Sequence, residues 1–351
     1  MAGRAAGAGW PADLDRPSSS VTSHDVARLA GVSQATVSRA LRRAPNVPAA
    51  TRERVERAAQ ALGYVPNRLG RALVTQATGR IAMVADLGNP LFSTLLTPVH
   101  DALCELGYQT LLFVEDQTRL EDVSGLFDRS VDGAILSTAI AGSSLPYELD
   151  RHGLPFVYLS RMSDLVERDS VSADDRGGAA KAARLLIDLG HRDIGAILGP
   201  TNTSTSRDRE AGFLSELATA GLAVRPEAVV RTDYTTPAGF AAFERLMTLD
   251  PRPTALFCGN DWVAVGVLNG AKQRGIEVPR DLTVVGFDDL PVASWPVFDL
   301  TTVSNPVKDN AAQAARLLVH RIQSGPKPAF QHVIAPTELV LRHTHAPPPV
   351  R

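Results

Sequence analysis

Asp288 and Asp289 follow the apolar run VVGF, and two adjacent acids invite comparison with a carboxylate pair that shares a proton. Adjacency argues against it. Successive residues of an extended segment point to opposite sides, so one of the two is left to face a cleft as a hydrogen-bond acceptor. His191, in LGHRDIG, stands alone before a strand-like run and is better read as a turn or packing residue. Cys104 and Cys258 are far apart and lack C-x-x-C spacing, which supports neither a disulfide framework nor a metal site. G-x-x-x-x-G-K-[ST], H-E-x-x-H, G-x-S-x-G and S-x-x-K are absent, and no G-x-G-x-x-G follows the first α/β strand. Neither a catalyst nor a cofactor is expected, so recognition by hydrogen bonding is the chemistry that remains.

The segment best built for recognition is TSHDVARLAGVSQATVSRAL, residues 22–41. Thr22 is a good N-cap and Asp25 completes a capping-box-like T-x-x-D, which predicts a helix running through Ala30 and stopped by Gly31. Ser33 caps a second helix with Ala35, Val37, Ala40 and Leu41 set against Thr36, Ser38, Arg39 and Arg42. Two such short helices become stable only by crossing closely, which is the helix-turn-helix arrangement that presents its second helix to a major groove. A third helix follows Pro48, with Val55, Ala59 and Leu62 on one face and Gly63 at its end.

The charge distribution agrees with that reading. The net charge of −2 conceals an asymmetry, because residues 1–75 hold 11 Arg and 5 acidic residues, leaving 25 basic and 33 acidic residues for the remainder. A polyanionic partner suits the first part and not the second. With 351 residues, 44% hydrophobic and 21% charged, the composition is that of a multidomain globular protein. No apolar run reaches membrane-spanning length and the N-terminal segment has no adequate h-region, so a cytoplasmic protein is expected.

Residues 1–20 read as a disordered tail, 21–66 as the headpiece and 67–79 as a hinge. The segment PNRLGRALVTQ, which Pro66 begins, is open to two readings: a solvated linker, or a basic segment that folds on meeting DNA. From Arg80 on, strand-like runs (81–85, 109–114, 133–137, 156–159, 194–198, 229–232, 255–258 and 283–287) alternate with helical stretches (92–106, 177–189, 207–220, 238–249, 262–274 and 308–323). This alternation predicts parallel α/β sheets with right-handed crossovers. DDRGG at 174–178 punctuates it near the middle, which fits two similar lobes with a ligand cleft outside the carboxyl ends of their strands.

Taken in order, DVARLAGVSQATVSRAL, VPAATRERVERAAQALGYVPN, NPLF, LGHRDIGAILGP, RDREAGF, CGNDWVAVG, VPRDLTVVGFDD, LTTV and TELVLRHT resemble the lactose-repressor/galactose-repressor (LacI/GalR) family of bacterial transcription factors. The resemblance implies an α/β protein: a three-helix headpiece with a hinge helix, then a two-lobed, periplasmic-binding-protein-like effector domain over 80–351. Its N-lobe would take about 80–172 and 306–333, its C-lobe about 173–300 and 334–345. It also implies a homodimer on pseudo-palindromic double-stranded operator DNA, responsive to a small molecule, usually a sugar. A repressor of carbohydrate-use genes is the expected sense, and a solute-binding protein or an enzyme on the same scaffold is the alternative.

By this resemblance Gln34, Ala35 and Arg39 read bases. Their types suit adenine, a thymine methyl and guanine respectively. Thr22, Ser33, Thr36, Ser38 and Asn46 would position phosphates, although some of these only cap helices in a second reading. Asn67, Arg68, Gly70 and Leu73 would meet the minor groove, Leu73 as an apolar wedge. Effector contacts would come from Asp86, Phe92, Ser137, Ser160, Arg161, Arg209, Tyr234, Asn260 and Asp288, with Phe92 or Tyr234 stacking on a sugar face. Arg209 and Asp288 have a second reading as a cleft ion pair. Ser160 stands where sugar-binding members often carry Asp, and Asp299 replaces a frequent proline, so the third crossover is expected to differ locally.

Overall fold

The computed structural model describes residues 21–41, 44–64, 77–88, 90–115, 125–324 and 329–350. Arg42, the tail and the hinge residues Asn67, Arg68, Gly70 and Leu73 lie outside them. The chain divides into two units, with the division between Gln76 and Ala77.

The first unit contains α1 (Ser23–Ala30), α2 (Gln34–Leu41) and α3 (Ala49–Ala61). The start of α1 is closed by Asp25, whose carboxylate accepts from the Thr22 amide at 3.0 Å and from its hydroxyl at 2.7 Å. Gly31 ends the helix with φ +63°, a left-handed conformation that glycine adopts without steric penalty. The Ser33 hydroxyl accepts from Thr36 N at 3.1 Å and starts α2. The buried centre of the shared core is built of small side chains, Val26, Ala27, Ala30, Val37, Ala40, Val47, Val55, Ala58 and Ala59, with Leu41, Leu62 and Tyr64 packed half-buried against it. Small side chains let the helix axes approach closely, but they bury little apolar area. Arg52 of α3 adds to them by donating to the carbonyls of Ala44 (3.1 Å) and Val47 (3.3 Å), which pins the loop before α3. Arg52→Met is expected to cost the headpiece about 1–2 kcal/mol. Faster hydrogen exchange in α3 of the full chain, with residues 77–351 unaffected, checks this.

The second unit holds two sheets of like topology. One has the order β2-β1-β3-β4-β5-β11, from β1 (Arg80–Ala85), β2 (Gln109–Val114), β3 (Gly133–Leu136), β4 (Phe156–Leu159), β5 (Ser170–Ala173) and β11 (His332–Ala335). The other has the order β7-β6-β8-β9-β10-β12, from β6 (Ile194–Leu198), β7 (Val229–Arg231), β8 (Ala255–Cys258), β9 (Thr283–Asp288), β10 (Thr301–Ser304) and β12 (Leu339–Val340). Among the described pairs all ladders are parallel except β10 with β12. Each sheet reverses its strand order beside its first strand, β1 or β6, and ligands bind at such switch points.

Helices α4 (Pro90–Glu105), α5 (Leu145–Arg151) and α10 (Val307–Ser324) belong to the first lobe. Helices α6 (Asp175–Asp188), α7 (Ser204–Thr219), α8 (Thr236–Leu246) and α9 (Asp261–Gln273) belong to the second. Gly212 sets the crossing of α7 over α6, since a Cβ there would lie 2.0 Å from the Arg176 carbonyl. That close approach carries one face of α7 to the start of α6, where the cleft lies.

The helices begin earlier than periodicity alone predicts. Asp174, Thr203, Thr235 and Asn260 each accept a backbone amide from the first turn and so start α6, α7, α8 and α9 before their apolar residues begin. Strands β5, β10, β11 and β12 and helix α5 were not predicted. Asp288 and Asp289 do diverge, the first toward Arg209 and the second toward Arg342, at 2.6 Å. Asp299 has φ +41°, which proline cannot adopt, and pairs with His343; it lies in the loop before β10, inside the second lobe and not in a crossover. His191 is fully buried, bonding Thr254 Oγ1 and the Ala346 carbonyl at 2.9 Å each, as a packing residue would.

Candidate functional site

The carboxyl ends of the strands converge on a cavity of about 340 Å³ lined from one lobe by Asp86, Gly88, Ile140 and Arg161, and from the other by Pro200, Asn202, Thr203, Asp233, Tyr234 and Thr235. A volume of that size falls in the range of small-molecule sites. A narrower recess continues it between Leu91, Ser160, Arg161, Thr205, Arg209, Tyr234, Asn260 and Asp288. The lobes touch around it: Ala141 N donates to the Asn202 carbonyl at 2.7 Å, Met162 N to Ser204 Oγ at 3.0 Å, and Arg207 pairs with Asp164 at 3.0 Å.

Arg209 closes the recess. Its Nε meets Asp175 Oδ1 at 2.7 Å, one terminal nitrogen meets Asp288 Oδ1 at 2.9 Å and the other the Gly259 carbonyl at 2.5 Å. The guanidinium also lies 3.8 Å from the centre of the Phe287 ring. Burial opposes its charge, but Asp288 and Asp175 outweigh burial and hold its pKa above the usual value. For Asp175 the balance runs the other way, since burial pushes the carboxyl up to about 6 against the pull of Arg209. The ion-pair reading of Arg209 and Asp288 is thus the geometry observed, with Asp175 as a third member that local sequence pattern did not single out.

Arg161 is the opposite case. It is 7% exposed, lines both parts of the cavity, and none of its guanidinium nitrogens has a hydrogen-bond partner among the described residues. It lies over the Phe92 ring at 5.5 Å, and burial lowers its pKa. Its guanidinium opens on the cavity, so an acceptor bound there is within its reach. Tyr234 adds a buried hydroxyl without a hydrogen-bond partner among the described residues, on a ring beneath the Arg209 guanidinium.

Of the residues expected to meet an effector, Asp86, Ser160, Arg161, Arg209, Tyr234, Asn260 and Asp288 line the cavity. Asn260 is already engaged, its Oδ1 accepting from Val263 N at 2.8 Å as the cap of α9. Two expectations need correction. Phe92 is 1% exposed, in the apolar core beneath Arg161, and presents no face to a sugar. Ser137 is fully buried and donates to the Val84 carbonyl at 2.8 Å, tying β3 to β1. Asn202, Thr203, Thr205 and Asp233 were missed, being polar loop and cap residues without periodic signature.

In the helix-turn-helix unit, Gln34, Ala35 and Arg39 are exposed along α2. Gln34 Nε2 donates to Ser23 Oγ at 3.1 Å and Arg39 Nε to the Ala35 carbonyl at 3.3 Å. Thr22 and Ser33 act as caps, and the Thr36 hydroxyl lies 2.9 Å from Ser33 Oγ. Ser38 is half-buried on α2 and Asn46 is exposed in the following loop.

A helix-turn-helix unit joined to a two-lobed α/β unit with a polar cleft defines a ligand-responsive, DNA-binding transcriptional regulator. The comparisons with known proteins specify it further. Residues 22–67 match the family described as bacterial regulatory proteins, lacI family, and residues 183–345 match the periplasmic binding protein-like domain. The HTH-type transcriptional regulator DegA of Bacillus subtilis (strain 168) is 33% identical over 333 residues, 93% of this chain and 98% of its own. A solved complex of the regulator CelR with cellobiose superposes with TM-score 0.72 at 32% identity, covering 93% of this chain and all of that one. The lac repressor dimer bound to operator and the anti-inducer ONPF superposes with TM-score 0.83 at 26% identity over 93% and 99%. The chain belongs to the lacI family of bacterial regulatory proteins.

Proposed function

We propose that this regulator is a dimeric repressor of carbohydrate-use genes, acting in the cytoplasm on a pseudo-palindromic operator, and that its effector is an uncharged sugar. The observation that carries the effector class is the charge around the cavity. Among the described residues Arg161 is the guanidinium there without a hydrogen-bond partner, while Asp86 and Asp233 also face the space and Arg209 is already neutralised by Asp175 and Asp288. Hydroxyl groups can accept from Arg161 and donate to the carboxylates, whereas the anionic group of a sugar phosphate or sugar acid would be repelled by those carboxylates. CelR, solved with cellobiose, offers a related precedent. On the DNA side, Arg39, Gln34 and Ala35 read base edges from α2, and the exposed hydroxyls and amides around it position phosphates. Among the described residues no helix is long and apolar enough to cross a membrane.

A thermal-shift screen of the full chain against neutral mono- and disaccharides and sugar phosphates tests the effector class. A neutral sugar at 100 times its Kd is expected to add about 2.7 kcal/mol of apparent stability. Arg161→Ala is expected to remove that shift. A response to phosphates alone would overturn the assignment.

A further inference from the structure

We propose that Asp132 is the positioning residue that fixes where the chain leaves the ligand-binding unit toward the DNA-binding unit, so that the bearing of that exit, and with it specific DNA affinity, depends on one carboxylate. The proposal rests on the regulator reading above. Asp132 stands just before β3, at the end of the sheet opposite the cleft. Both of its oxygens are engaged by the first residues of the second unit, more than fifty positions earlier. Thr78 N donates to Oδ1 at 2.6 Å, the Thr78 hydroxyl to the same oxygen at 2.8 Å, and Gly79 N to Oδ2 at 2.8 Å.

The surrounding bonds make this a closed clamp. The Thr78 hydroxyl also accepts from Arg80 N at 3.1 Å, and Asp132 N donates to the Arg80 carbonyl at 2.8 Å, which extends the β1–β3 ladder by one position. Gly79 has φ +68°, a left-handed conformation that favours glycine, and the carboxylate holds it together with Thr78. Gly133, next to Asp132, could not carry a side chain, because a Cβ would lie 2.9 Å from the Pro155 carbonyl. Asp132 is thereby held from behind by β3 and its neighbour β4. An acceptor-only side chain is required: the NH₂ of an asparagine would face an amide hydrogen of Thr78 or Gly79 whichever way it turned.

No atom of this clamp lines the cavity, so it is separable from effector binding. Three variants of the full chain, Asp132→Ala, Asp132→Asn and Thr78→Val, would be compared with wild type on two probes. One is a duplex enriched by the wild-type chain from a random 20-base-pair pool, and the other an unrelated duplex of equal length. We expect Asp132→Ala to lose about tenfold or more in affinity for the enriched duplex, with no change on the unrelated one. Asp132→Asn and Thr78→Val should fall between, and backbone exchange of residues 77–80 should accelerate in the same order. A merely structural role predicts something else: a lower melting temperature of residues 77–351 with the ratio of the two affinities unchanged. That result overturns the proposal, as does an unchanged ratio in Thr78→Val should the alanine variant fail to fold. If the wild-type chain enriches no sequence, the regulator reading itself fails and the clamp with it.

Discussion

Arg209→Met should lower the stability of the ligand-binding unit by about 3–5 kcal/mol, because it leaves Asp175 and Asp288 buried with no cation between them. The loss should depend on pH, and the sign follows from Asp175. Its carboxyl in the folded chain is near 6, above its ordinary 3.8, so folding favours the protonated form. The corresponding stability is fully present below about pH 4 and is lost as pH rises through 6. Without Arg209 the folded carboxyl moves further up, and the variant must carry an unpaired charge at a pH where wild type has a paired one. The deficit relative to wild type should therefore be larger at pH 8 than at pH 5, as read by urea unfolding at each pH. An equal deficit at both would show that the guanidinium acts by packing on Phe287 rather than by charge. A double variant with Asp175→Asn should recover part of the loss, since the two sites share one network.

Arg39→Ala should remove on the order of 1–3 kcal/mol of discrimination at one base pair of each half-site, about a 5- to 150-fold loss on the preferred duplex. Affinity for unrelated DNA should fall only slightly, because the phosphate contacts that supply it lie elsewhere. Titrations at one fixed salt concentration, using the preferred duplex and single-base variants of it, would read both quantities. Equal loss on all of them would place Arg39 among the phosphate contacts. Gln34→Ala is the informative companion. Gln34 holds Ser23 in the structure described here, so its removal also tests whether that tether prearranges α2.

The headpiece was legible almost residue by residue, because every signal in it is local: Thr22 with Asp25, Gly31, Ser33 with Thr36. The lobes were legible as alternating elements, but their helix starts were displaced toward the apolar residues, since capping by Asp174, Thr203, Thr235 and Asn260 leaves no periodic trace. Strands SVSA and TTVS escaped notice for a related reason. Their buried hydroxyls are satisfied by distant partners, as Ser170 Oγ is by His332 and Thr302 Oγ1 by Asp261. The site divides along the same line. Resemblance placed seven residues on the cavity, yet Asp175 in DDRGG read as punctuation, because its partnership with Arg209 spans 34 positions and that of Arg209 with Asp288 spans 79. Ser137 and Phe92 sat at the right strand end and helix start, but each faces its own lobe.

The three passes of the chain between lobes bear on how the protein is made. The headpiece is complete in sequence by Tyr64 and needs nothing later for its core, so it can fold while the rest is still being translated. The first lobe cannot. Its β5 edge waits for β11, and Leu317 and Leu318 of α10 join a core begun by Ile81 and Met83. A ribosome that has reached residue 304 has finished the five parallel strands of the second lobe, while the first, started earlier, still exposes one face of its sheet. An mRNA truncated between 304 and 335 would therefore yield a folded DNA-binding unit attached to an incomplete first lobe, a product suited to degradation or aggregation rather than to regulation.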